Sequence, residues 1–164
     1  MRILVFITIC FLNVQGMLAQ VAETPITIEL NSGTPEQITL LGEKHDFSGV
    51  RDRLSYLSNT FGRHDPVLVF FDDKTSAETV ISVFEMTKKT HDEVFLILQD
   101  SSPRDTSRLI IFKTLKDNKA IPPIKESDRR LDISGSINGN TIPSDPTELV
   151  RRARKALLDI STNK

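Results

Sequence analysis

The side chains in this sequence that could do chemistry are three aspartates, three histidines and one basic helix face. Asp72 and Asp73 close the apolar run Val67 to Phe71, and Asp100 follows a second apolar run, Val94 to Leu98. Both runs read as strands, so the three carboxylates fall at strand carboxyl ends. In open α/β sheets that edge is where ligands bind. Carboxylates paired there would hold Mg²⁺ or share a proton. Residues of this kind also close turns and cap helices. The phosphotransferase pattern Asp-x-Asp-x-Thr is absent, because Asp72 is followed by Asp73 and Lys74. The expectation is mainly structural, with Asp72, Asp73 and Asp100 kept as a candidate ligand edge.

His45, His64 and His91 each precede an aspartate in a polar connection. No i, i+4 histidine pair favours a metal, so all three are expected on surface loops. Cys10, the single cysteine, lies inside an apolar N-terminal stretch. Gly-x-Ser-x-Gly, Gly-x-Gly-x-x-Gly and Walker loops are absent, and Ser48-Gly49 suits a helix start. No catalytic residue, metal ligand or cofactor site is expected. Arg151, Arg152, Arg154 and Lys155 share one side of a helix and form a candidate face for an anionic partner.

These residues must be positioned by one domain. The chain has 164 residues, 38% hydrophobic and 26% charged, with a formal charge of −1. That composition is globular, and the charge argues against nucleic acid. Residues 1–19 read as a signal peptide or signal anchor: Arg2, then an apolar segment from Ile3 to Val14, then small residues before Ala19. Asn13 and Gln15 interrupt a segment too short for an ideal span. The expected location is exported, periplasmic or secreted, with single-pass anchoring as the alternative. Loss of the leader would remove Cys10, and an exported chain without disulfides fits a bacterial envelope.

The central unit runs from Pro66 to Ile97. Its two strands read as apolar on both faces, hence central and parallel. Ala77, Val80, Ile81 and Phe84 repeat at helical spacing between them. Thr75 and Glu78 have the spacing of a capping box, and Lys88 and Lys89 suit the helix C-terminus. Upstream, Ile26, Ile28 and Leu30 alternate as a half-buried strand. A turn cluster follows at 31–35, and a second strand spans Ile38 to Leu41, ending at Gly42. Asp46 caps an expected helix over Phe47 to Thr60, with Phe47, Val50, Leu54, Leu57 and Phe61 on one face and Gly62 as the stop. Downstream, Arg108 to Leu115 reads as a strand and Lys116 to Arg130 as a linker. Leu131, Ile133 and Ile137 suggest a weak strand before an Asn138-Gly139 turn. Asp145-Pro146-Thr147-Glu148 opens a final helix, with Leu149, Ala153, Ala156, Leu157 and Ile160 as its buried face. The expected class is α/β (α+β): a β-hairpin, a βαβ unit, a mixed sheet with helices packed on it, and a C-terminal strand and helix.

Residues 26–98 resemble the periplasmic domain of the ExbD/TolR biopolymer-transport family. Pro66-Val67-Leu68-Val69-Phe70-Phe71-Asp72 is similar to the family's apolar strand ending in aspartate. Thr79-Val80-Ile81 is similar to its Thr-Val-Val, and Val94-Phe95-Leu96-Ile97 to its closing strand. Ile26-Thr27-Ile28, the Asn/Gly turn, Ile38-Thr39-Leu40 and the helix bearing Leu54 and Leu57 resemble the upstream part. The chain departs from the family in two places. No Asp or Glu stands in the hydrophobic segment, so proton-coupled energising does not carry over, and Ser76-Ala77-Glu78 replaces Pro-Tyr-Gly. The resemblance implies an ExbD/TolR-like domain over 20–115, with 116–164 a linker and a strand–helix extension packed on it. It further implies a non-catalytic binding module of the cell envelope. Its partners would be envelope proteins, peptidoglycan or a second copy, with a membrane only if the leader is uncleaved. A small exported hydrolase or metal-dependent phosphatase using Asp72, Asp73 and Asp100 is the rival reading, and a secreted structural protein is the third.

Overall fold

A computed structural model describes residues 24–31, 37–99, 107–121, 130–131 and 145–162. Among them the strands are β1 (Ile26–Asn31), β2 (Gln37–Leu40), β3 (Glu43–His45), β4 (Val67–Asp72), β5 (Val94–Gln99), β6 (Ser107–Ile110) and β7 (Arg130–Leu131). The helices are α1 (Phe47–Phe61), α2 (Ala77–Lys88), α3 (Phe112–Asn118) and α4 (Pro146–Thr162). The strands form one seven-stranded mixed sheet in the order β3-β2-β1-β4-β5-β6-β7. β1, β4 and β5 run parallel, and every other neighbouring pair is antiparallel. The α/β class expected from the sequence is the one observed.

The doubly apolar strands explain the layering. Side chains alternate across a strand. In β4, Val67, Val69 and Phe71 therefore join the core under α1, α2 and α3. Leu68 and Phe70, with Phe95 and Ile97 of β5, meet Leu149, Val150 and Ala153 of α4 on the opposite face. β4 and β5 are thus central and parallel, with helices on both faces.

α1 is capped by Asp46, whose side chain accepts from the Gly49 amide, and ends at Gly62 with φ 98°, a conformation that favours glycine. Val50, Leu54 and Leu57 are buried, but Phe47 and Phe61, expected on the same face, are 45% and 70% exposed. They are the first and last residues of the helix.

Several other expectations give way to local geometry. The second strand ends before Gly42, as expected, at Leu40, but a further strand follows the turn. Leu41 and Gly42 both take positive φ, 52° and 84°, as a two-residue hairpin turn requires. They carry the chain into β3, which pairs Leu40 with Glu43. The α2 cap is Ser76, which accepts from the Thr79 amide at 3.1 Å. Thr75, expected there, is instead buried at 4% exposure.

The strand expected over Arg108 to Leu115 ends at Ile110, the partner of Leu96. From Phe112 the chain is helical, because Phe112 and Leu115 lie three apart and turn to the same core. The rings of Phe84 and Phe112 stack with centroids 4.0 Å apart. Lys119 ends α3 in a left-handed conformation, φ 49°. In α4, Leu149 and Ala153 are buried as expected, joined by Val150, while Leu157 is 40% exposed. The leader at 1–19, the loop with Asp100, the turns at 32–35 and Asn138-Gly139, Ile133, Ile137 and the Ile160 side chain lie outside the described residues.

Candidate functional site

At the carboxyl end of β4, Asp72 is drawn into its own turn. Its Oδ1 accepts from the Lys74 amide at 3.0 Å, the Thr75 amide at 2.7 Å and the Thr75 hydroxyl at 2.7 Å. The Thr75 hydroxyl also lies 3.5 Å from the Leu30 carbonyl oxygen near the end of β1. One carboxylate oxygen thus closes the β4–α2 turn and fastens it toward the neighbouring strand. Asp73 follows, exposed. Asp100, the third member of the candidate edge, lies outside the described residues. Among the described residues, no group of three or more His, Asp or Glu side chains could hold a metal ion.

The candidate basic face on α4 is largely neutralised from within the chain. Asp145 caps the helix, accepting from the amides of Thr147 and Glu148 at 3.0 and 3.3 Å. Glu148 then receives Arg151 through Nε and Nη2, both at 2.6 Å, and Arg152 through Nε at 2.8 Å. These guanidinium hydrogen bonds hold the Glu148 carboxyl down at about 2. Arg154 faces Glu93, just ahead of β5. Its Nε lies 2.9 and 3.1 Å from the two carboxylate oxygens, and its Nη2 lies 2.5 Å from Oε2. That fork-on-fork pair ties α4 to the sheet. Lys155 is exposed.

The polar groups that do converge lie at the other end of the parallel pair. Arg63, His64 and Asp65 precede β4, and Thr90, His91 and Asp92 precede β5. Asp92 takes Arg63 Nη2 at 3.3 Å on Oδ1 and stands 3.7 Å from His64 Nδ1 through Oδ2. Its amide donates to the Arg63 carbonyl at 3.0 Å, and Lys88 Nζ donates to its carbonyl. The next residue, Glu93, accepts from the Val67 amide at 2.9 Å while its carboxylate holds Arg154.

His91, expected on a surface loop, is fully buried. Its amide donates to the Thr87 carbonyl at 2.9 Å, and its Nδ1 lies 2.9 Å from the Thr90 hydroxyl. Nε2 is buried with no hydrogen-bond partner among the described residues. Burial pushes the imidazole below its ordinary range. Arg63 works in the same sense, while Asp65 and Asp92 oppose it.

The signal for this cluster was present in the spacing. Val67 pairs with Val94 in the parallel register, and His64-Asp65 and His91-Asp92 stand at the same distance before those two partners. Two parallel strands in register bring equal offsets together. His45 is not part of the cluster; it lies on β3 at the sheet edge, 3.8 Å from Glu43.

No family model, no curated protein and no solved structure matches this chain.

Proposed function

We propose that this chain is a non-catalytic binding module of the cell envelope, of the kind represented by the periplasmic domain of ExbD/TolR biopolymer-transport proteins. The observation that carries the reading is the state of Asp72. The carboxylate that would lead a catalytic pair has one oxygen committed to three donors of its own turn. A group so engaged is a structural acceptor, ill placed to relay protons. The element order from β1 to β5, strands then helix, strand, helix, strand, is the order on which the family resemblance rests. Peptidoglycan or a second copy of the chain are the partners of the reading.

Co-sedimentation with purified peptidoglycan sacculi, beside sedimentation velocity of the protein alone, tests it. Retention on sacculi or a concentration-dependent dimer is the expected result. A monomer that stays in the supernatant sinks the proposal. Thermal melting with Mg²⁺ or Mn²⁺ addresses the hydrolase reading, because a metal bound to the native state raises Tm. A rise abolished by Asp72→Ala would replace the binding module with a metal-dependent enzyme.

A further inference from the structure

We propose that the corner between α2 and β5 is an acid-operated release, in which protonation of His91 parts the α2–β5 loop from the loop leading into β4 and loosens the Glu93–Arg154 tie on α4. This inference stands apart from the binding reading, since it needs only the packing of the corner.

Hydrogen-bond arithmetic fixes where the proton must go. The Thr90 hydroxyl lies 3.0 Å from the Thr87 carbonyl and donates to it. A hydroxyl has one proton, so toward His91 it can only accept. The neutral ring therefore carries its hydrogen on Nδ1, and the free lone pair sits on Nε2. That atom is buried and without a partner among the described residues. Acidification puts the new N–H on Nε2, where it finds no acceptor, and an imidazolium needs two. A buried charge with an unmet donor is costly.

Relief lies in turning the ring outward. The charged groups that act on His91 are Asp65 and Arg63 from the loop before β4 and Asp92 from its own loop. Arg63 is engaged by Asp92, and Asp65 is left to draw the imidazolium out. Such a movement strains the Asp92 amide bond to the Arg63 carbonyl and the Lys88 contact on the Asp92 carbonyl. The adjoining residue is Glu93. Its carbonyl bonds the first amide of β4 and its carboxylate holds Arg154, so motion at His91 reaches both the sheet and α4.

The sign follows from burial. The ring's folded pKa lies below the free value of about 6.5, so the open chain binds the proton first. The closed corner is fully favoured above about pH 6.5 and loses ground as pH falls through the folded pKa. One linked proton makes the opening equilibrium rise by at most about tenfold per pH unit.

The test is hydrogen exchange on the full chain at pH 7.5 and pH 5, corrected for intrinsic exchange, with the amides of α4 and of Val67 as reporters. Wild type is expected to lose protection there at pH 5, while His91→Leu, apolar and unable to titrate, keeps it. Equal protection at both pH values in wild type, or equal loss in the variant, overturns the proposal. Should His91→Leu fail to fold, NMR titration of the wild-type rings decides. His91 should titrate below the free value of about 6.5. Titration at or above that value also overturns it.

Discussion

At the carboxyl end of β4, Asp72 accepts from donors within three residues, on Lys74 and Thr75. At the amino end of β5, His91 and Asp92 meet a loop that precedes a different strand, and Glu93 meets a helix from the far end of the chain. The first arrangement is a turn whose carboxylate hydrogen bonds lie within four consecutive residues. The second exists only when β4 and β5 lie side by side in register. Acidic residues at a strand's carboxyl end drew attention because ligands bind there in many α/β sheets. Among the described residues, that end holds the Asp72 turn, while the end usually left to stability collects His64, His91 and the long-range ion pairs.

The largest expected effect that separates the two ends is at Asp72. Asp72→Ala removes the side-chain acceptor shared by the Lys74 and Thr75 amides and the Thr75 hydroxyl, two of the three on a residue that is buried. Loss of a capping acceptor costs about 1–2 kcal/mol, and urea denaturation should register a drop of that order. The comparison predicts that the loss is independent of ionic strength, since the donors are backbone and hydroxyl groups. If Asp72→Ala leaves stability unchanged, the turn-closing role fails and the carboxylate becomes available for a ligand.

The long-range end should behave differently. Glu93 and Arg154 are half-exposed, with side-chain exposures of 33% and 42%, so water screens much of their attraction. A double-mutant cycle with Glu93→Gln and Arg154→Met is expected to give a coupling of about 0.5–1 kcal/mol. That coupling should shrink in high salt. A coupling near zero would mean that α4 is held by Leu149, Val150 and Ala153 alone.

The same contrast governs what was legible in the sequence. The doubly apolar β4 and β5, the Asp46 cap, the Gly62 stop and the Asp145-Pro146 helix start are written in consecutive residues, and all were readable. So was the turn role of Asp72. His91 was not, because nothing in Thr90-His91-Asp92 distinguishes a buried ring from an exposed one. Its burial comes from the close of α2 above it and the neighbouring loop beside it. α3 was missed for a related reason: Leu109-Ile110-Ile111-Phe112 is a short apolar run, which periodicity assigns to strand as readily as to helix. Its fate was settled by the core that takes Phe112 and Leu115 and by the Phe84 ring. The outward basic face on α4 was half right, since the arginines do lie on one side, but Glu148 and Glu93 meet three of the four cations.

The smallest effect expected is at Glu148, and it sharpens the contrast because it is a purely local device with its own acid window. Arg151 and Arg152 hold its carboxyl down at about 2 against an ordinary value of 4.5. A depressed carboxyl favours the folded chain above the ordinary value, and that contribution is lost as pH falls from about 4.5 toward 2. Glu29 works in the opposite sense near the same ordinary value, since half-burial raises its pKa, so bulk stability alone would blend the two. Carboxyl ¹³C shifts followed from pH 6 to pH 2 separate them: Glu148 should titrate below the ordinary value of 4.5 and Glu29 above it. Arg151→Gln with Arg152→Gln should return Glu148 toward 4.5 without moving His91. If removing these two guanidiniums also shifts the His91 ring, the start of α4 and the α2–β5 corner are coupled, and the local and long-range ends of the molecule form a single electrostatic unit.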